Sequence, residues 1–158
     1  MLIILSQLLE AIIAQAREDH PIETCGVIAG PEGSDLPLRL IPMRNSANSA
    51  DFFQLDAEEQ FRVWSEMEEN GEEPIVIYHS HTGSRAYPSS DDVLFAAEPR
   101  THYVIIGTDP ARKLETRSFR IIDGEITEEK LRSVERYAAH CDAHIYSPET
   151  GSPACQLS

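Results

Sequence analysis

The sequence predicts an α/β fold, a single domain in which a mixed β-sheet is flanked by helices. Three observations carry that prediction. The chain has 158 residues, 41% apolar and 25% charged, enough to bury one core without covalent staples. Apolar runs with strand character alternate along it with runs of helical spacing, the pattern that layers helices on a sheet. No internal repeat and no linker-like stretch divides it.

The elements follow in order. Leu2-Ile3-Ile4-Leu5 reads as a short strand, and Ser6 is placed to cap the helix that follows. Leu8, Leu9, Ile12, Ile13 and Ala16 make one apolar stripe over residues 7–19, and Pro21 ends it. Cys25 to Ala29 is a buried strand closed by Gly30-Pro31-Glu32-Gly33. Leu36 to Met43 and Asp51 to Leu55 are further strand candidates. Asp56 and Glu59 have capping-box spacing ahead of a helix whose face carries Phe61, Trp64 and Met67, and Gly71 stops it. Pro74 to Tyr78 is a β-branched strand that runs into His79-Ser80-His81. A loop, Thr82 to Pro88, then leads to a short helix beginning at Ser89 or Ser90. Tyr103 to Gly107 and Glu115 to Ile122 are strands, the second turning through Asp123-Gly124 toward Glu125 and Ile126. The spacing from Glu128 to about His140 predicts a last helix. Residues 1–137 are read as the domain and 138–158 as a fraying, partly disordered tail.

Composition narrows the function classes. Asp plus Glu outnumber Lys plus Arg by 27 to 13, a formal charge of -14, so phosphate backbones and anionic lipids are disfavoured partners. The apolar opening imitates a secretion signal, but it lacks a basic start and is broken by Gln7 and Glu10. No stretch approaches the roughly 18 apolar residues of a membrane span. Cys25, Cys141 and Cys155 are an odd set without framework spacing, which suits a reducing, cytoplasmic setting. The eight acids between Asp56 and Glu73 read as a solvated helix face before they read as a docking site.

Chemistry concentrates in His79-Ser80-His81 and Ser89-x-x-Asp92. Residues two apart on a strand share a face, so His79 and His81 present both imidazoles to one metal ion. Asp92 completes a set of three, because Gly83 and Pro88 let the intervening loop turn back. Two His and one carboxylate leave a fourth position for water, the arrangement of a catalytic zinc site. A His pair by itself is common, and Ser89-x-x-Asp92 is also the spacing of a helix capping box. Both readings hold together if Ser89 starts the helix while its hydroxyl faces the metal.

His-x-His followed after seven residues by Ser-x-x-Asp resembles the JAMM (MPN+) metallopeptidase family, with Glu23 in Pro21-Ile22-Glu23-Thr24-Cys25-Gly26 at the place of its upstream glutamate. The likeness runs from Leu2 to about Tyr137. Within the family it is closest to the actinobacterial hydrolases that release cysteine from a sulfur-carrier protein, on the stretches His20-Pro21, Cys25-Gly26-Val27, Ala29 to Asp35, Ile77 to Thr82 and Ala86 to Ser89. The resemblance implies a JAMM/MPN domain of cytidine-deaminase-like architecture and one zinc ion per chain, held by His79, His81 and Asp92. It also implies Glu23 as general acid/base and Ser89 as donor to the oxyanion, with Ser90 and Asp91 as neighbours that the spacing disfavours. The implied partner is a ubiquitin-like sulfur carrier ending in Gly-Gly, and the implied reaction is hydrolysis of the amide joining it to cysteine, within cysteine biosynthesis. Trimming of a carrier precursor to expose Gly-Gly is the alternative. A non-catalytic MPN scaffold is a third reading, disfavoured because all five motif residues are present.

Other residues take ordinary readings. Ser80 points to the opposite face. Cys25 is a small buried side chain, and His20 and His102 are surface or strand-end residues. His140-Cys141-x-x-His144 with Cys155 is a weak second metal motif. Arg85 and Tyr87, in the loop beside the ligands, are candidates for holding the carboxylate of a departing amino acid, against the ordinary reading of a solvated arginine.

Overall fold

The computed structural model describes residues 1–138. They form β1 (Leu2–Leu5), α1 (Ser6–Asp19), β2 (Cys25–Pro31), β3 (Arg39–Met43), α2 (Ala57–Glu69), β4 (Glu72–His81), α3 (Ser90–Phe95), β5 (His102–Gly107), β6 (Glu115–Ile122), β7 (Glu125–Glu129) and β8 (Leu131–Val134). Six strands make one mixed sheet in the order β3-β2-β4-β5-β6-β7, and β1 pairs with β8 in a second, two-stranded sheet. The β4–β5 pairing is parallel and the other pairings of the large sheet are antiparallel.

Strand alternation divides the core between two helices. On one face α1 lays Leu8, Ile12 and Ala16 against Ile28, Tyr78, Val104 and Ile106. On the other, Val63 and Met67 of α2 meet Cys25, Val27, Ile77, Tyr103 and Ile121. Gly26 sits opposite Tyr78 in the β2–β4 register, and a Cβ there would lie 2.2 Å from the Tyr78 hydroxyl. Only glycine lets that ring lie flat on the sheet.

Four expectations are corrected. Ser6 is the first residue of α1 rather than its cap; Leu5 holds that place in extended conformation with no side-chain bond. The strand expected from Leu36 starts at Arg39, after Pro37. Asp51 to Leu55 forms no strand, only an isolated antiparallel bridge between Asn45 and Leu55. The helix expected from Glu128 is absent over the described residues. Asp123 and Gly124, at φ 51° and 79°, make the two-residue left-handed turn that continues β6 into β7. The chain then runs on as β8, whose Leu131 to Val134 pair in parallel with Leu2 to Leu5. Pairing of β7 with β6 and of β8 with β1 overrides the helical spacing of Leu131 and Val134. The residues from 139 onward, including the His140-Cys141 motif and most of the expected tail, lie outside the described residues. No described helix is long and apolar enough to cross a membrane.

Candidate metal centre

The C-terminal end of β4 delivers both imidazoles. His79 and His81 follow Ile77 on the α2 face, while Ser80 points to the other side and accepts a hydrogen bond from Thr24 N at 2.8 Å. Ser80 N in turn donates to Thr24 O at 3.1 Å. These two bonds hold residue 24 against the strand end, and Glu23 beside the two histidines. His81 Nδ1 lies 2.8 Å from the Arg85 carbonyl. A carbonyl only accepts, so that nitrogen carries the proton and Nε2 keeps its lone pair for the site.

Asp92 arrives from the first turn of α3 through a complete capping box. Asp92 N donates to Ser89 Oγ at 3.1 Å, and Ser89 N donates to Asp92 Oδ2 at 2.8 Å. The cap that starts the helix thus also fixes the carboxylate. Asp92 Oδ1 stands 3.1 Å from His79 Nε2 and Oδ2 3.1 Å from His81 Nε2, while the two Nε2 atoms are 3.1 Å apart.

Two imidazole nitrogens and a carboxylate converge on one point, where a cation would offset the cost of burying the carboxylate. A tetrahedral ion with ligand bonds of 2.0–2.1 Å separates its ligand atoms by ~3.3 Å, close to the spacing seen here. Donor chemistry and geometry therefore fit a divalent ion of the zinc type, and among the described residues this is the one group of three such ligands. Asp92 is held well below the usual carboxylate range: burial pushes it up, but the neighbouring His79 and His81 outweigh that. Burial dominates at His79 and lowers its pKa; at His81 burial is overcome by Asp92 and the Arg85 carbonyl, and the pKa rises. His79 Nδ1 is buried with no protein partner among the described residues. The Phe53 ring orients that imidazole instead, stacked at 4.4 Å and 22°.

Glu23, 4% exposed, does not join the ligand cluster. Burial, countered by His81 but reinforced by Asp92 and Asp51, pushes its carboxyl up to about 8. Glu23, Ser89 and the three ligand residues line one end of a cavity of about 330 Å³. Phe53, Trp64, Ile77 and Tyr103 supply its apolar walls, and the described lining contains no Lys or Arg.

Glu23, His79, His81, Ser89 and Asp92 are thus brought together; Arg85 and Tyr87 are not. Arg85 contributes its carbonyl to His81, and neither side chain lines the cavity. Tyr87 packs edge-on against Phe119 at 5.4 Å, with the Arg117 guanidinium 5.7 Å from its ring. The loop between them is anchored: Ala86 is fully buried and its N–H donates to Glu115 at 2.8 Å. Asp91 lines the cavity outside the ligand group. Cys25 is buried, its thiol pushed up to about 12 by that burial and by Glu59, Asp19 and Glu23, which removes it as a nucleophile. His20 bonds Thr108 Oγ1 at 3.0 Å at the surface. His102 is the strand-end residue of its reading, first in β5, but not a surface one: it is fully buried between Asp35 and Glu129. Sequence reasoning missed Phe53 and Trp64 as walls of this cavity. Helical spacing marked Trp64 as core, and nothing in the pattern of residues 44–55 signalled a wall over the site.

With this geometry in place, comparison with known proteins is informative. The profile describing prokaryotic homologs of the JAB domain matches residues 5–122. The chain is 53% identical to the CysO-cysteine peptidase of Mycobacterium tuberculosis over 137 residues, 87% of this chain and 94% of that protein. It is 32% identical to the desampylase of Haloferax volcanii over 105 residues, 63% of this chain and 76% of that one. Among solved structures, a protein from Desulfitobacterium hafniense superimposes with TM-score 0.74 at 30% identity, covering 91% of this chain and all of the other.

Proposed function

The chain belongs to the prokaryotic JAB-domain family and is a JAMM-type hydrolase, and from that premise we propose that it releases cysteine from the C-terminal Gly-Gly of a ubiquitin-like sulfur-carrier protein. The observation that carries this reading is the 53% identity to a CysO-cysteine peptidase across 94% of that protein's length. The cluster of His79, His81 and Asp92 supports a zinc-dependent reaction, one ion per chain. Bound there, zinc supplies Lewis acidity that polarises a carbonyl and lowers the pKa of water.

The chain's own groups do the rest. Glu23 stands beside the ligands without joining them. Its burial favours the protonated carboxyl, so that it takes up a proton readily, as a general base that later acts as acid requires. It takes the proton of the attacking water and delivers it to the leaving cysteine nitrogen. Ser89 Oγ accepts from Asp92 N, which leaves its O–H free to donate to the oxyanion that develops on the scissile carbonyl. Apolar walls at Phe53, Trp64 and Tyr103 exclude water around that charge. The likeness to a desampylase supports the broader statement that the substrate is a ubiquitin-like protein.

Incubation with a carrier–cysteine adduct and with an extended carrier precursor, each weighed by mass spectrometry with and without chelator, tests the reading. Loss of the mass of cysteine from the adduct, abolished by chelator, is the expected result. Turnover of the precursor alone would replace it with the trimming reaction.

A further inference from the structure

We infer that Asn45 is the positioning residue for Glu23, a clasp that fixes the glutamate's main chain to the wall of the cavity; the inference rests on Glu23 as the proton carrier. Among the described residues the Glu23 carboxylate receives no hydrogen bond. Its aim is therefore set by its backbone and its packing. Both backbone groups of residue 23 are held by the segment 45–55: Glu23 N donates to Ser49 O at 2.9 Å, and Asn45 Nδ2 donates to Glu23 O at 3.1 Å.

The same Asn45 amide ties that segment to itself. Nδ2 also donates to Phe52 O at 2.9 Å, and Oδ1 accepts from Ala47 N and Gln54 N, each at 3.1 Å. Both donors and both lone pairs of one amide are used. Phe52 O and Gln54 N flank Phe53, the residue whose ring stacks on His79. One side chain thus sets the position of Glu23 and of the ring over a metal ligand, and links them rigidly. Aspartate keeps both acceptors but has no donors. Ser46 provides a contrast: its hydroxyl donates to Gln54 O at 2.9 Å, bracing the same segment without touching Glu23.

The test compares Asn45→Asp, Asn45→Ala and Ser46→Ala in the full chain, alone and on a Glu23→Gln background. Turnover of the carrier adduct is measured alongside metal affinity, by chelator competition, and the urea unfolding midpoint. In both Asn45 variants kcat falls about 10- to 100-fold with KM little changed, since a displacement of about 1 Å costs that much. Metal affinity is retained, and Ser46→Ala keeps wild-type kcat. With Glu23→Gln present, Asn45→Ala costs far less than it does in the wild-type chain, the non-additivity of two residues acting largely through one group. Wild-type kcat in Asn45→Asp, an equal loss in Ser46→Ala, or a full additional loss on the Glu23→Gln background would each overturn the clasp. Should the wild-type chain cleave neither substrate, the functional reading fails separately. A crystal structure of Asn45→Asp then decides the clasp: Glu23 and Phe53 displaced supports it, and both in place removes it.

Discussion

A carboxyl group buried in the same cavity as two imidazoles, with no hydrogen bond of its own among the described residues, is costly to keep unless it is used. Glu23→Gln keeps the shape and removes the titration. It is expected to lower kcat by about 10²- to 10⁴-fold, the usual worth of a positioned acid/base, while metal binding measured by chelator competition survives. The group also leaves a thermodynamic mark in the metal-free protein. Its folded-state pKa of about 8 lies above its ordinary 4.5, so between those values the folded chain holds a proton that the unfolded chain has released. Stability therefore falls as pH rises through that window. Urea unfolding with chelator present is expected to show a shallower decline between pH 4.5 and about 8 in Glu23→Gln than in the wild type. These residues were legible one by one: strand alternation puts His79 and His81 on one face, the Gly83–Pro88 loop lets Asp92 return to them, and the resemblance to a known motif adds Glu23 and the role of Ser89. Proximity in sequence did not say that the Arg85 carbonyl, rather than its guanidinium, turns toward His81.

The short helix α3 shows how little structure a site requires. Its capping box is both the start signal of the helix and the device that aims Asp92, so one local motif serves fold and chemistry together. Ser89→Ala removes the cap acceptor and the free O–H at once. It is expected to cost about 1 kcal/mol in thermal unfolding and about 10²- to 10³-fold in kcat, whereas Ser89→Thr restores most of both. Most other elements were legible because each carries its own period or punctuation, as in the apolar stripe of α1 or the Asp123-Gly124 turn. The C-terminal segment was not. Leu131, Val134 and Tyr137 recur at helical intervals, yet β7 is extended by its pairing with β6, and β8 by its pairing with β1 at the far end of the chain. Local spacing contains no record of a partner more than a hundred residues away. Gly124 is the pivot of that outcome. At φ 79° an alanine is strained, and Gly124→Ala is expected to destabilise the chain by about 1 kcal/mol, read as a lowered urea midpoint.

Across the whole molecule the sheet separates two clusters of ionisable groups. The ligands sit at the C-terminal end of β4, where His81 pairs with Gly107, and the second cluster surrounds His102, which pairs with Val76 at the other end of the same two strands. Five residues of strand put them roughly 17 Å apart. His102 Nε2 lies 2.7 Å from Asp35, its Nδ1 faces Glu129, and Ser118 Oγ donates to Glu129 at 2.9 Å, so β5, β6, β7 and the residue 35 loop meet on one imidazole. Burial lowers the His102 pKa, but the hydrogen bonds to Asp35 and Glu129 more than offset it, and the net shift is upward. For Glu129, burial raises the pKa and His102, the chain's amino group and Ser118 bring it down to about 2. The signs follow by linkage. A histidine raised in the folded state contributes stability that is complete below the ordinary 6.5 and is lost as pH climbs through its folded value. A depressed carboxylate contributes stability that is complete above the ordinary 4.5 and is lost as pH falls toward about 2. The cluster thus stabilises the sheet most between those two ordinary values. On the Glu23→Gln background urea midpoints are expected to decline above pH 6.5, and to decline less steeply once His102→Gln is added, the raised His81 supplying the remainder. His102→Gln alone should keep the wild-type kcat per folded molecule, because its contacts lie at the opposite end of the sheet from Glu23. An unchanged alkaline decline in the double variant would show that His102 is not the group that holds those strands together.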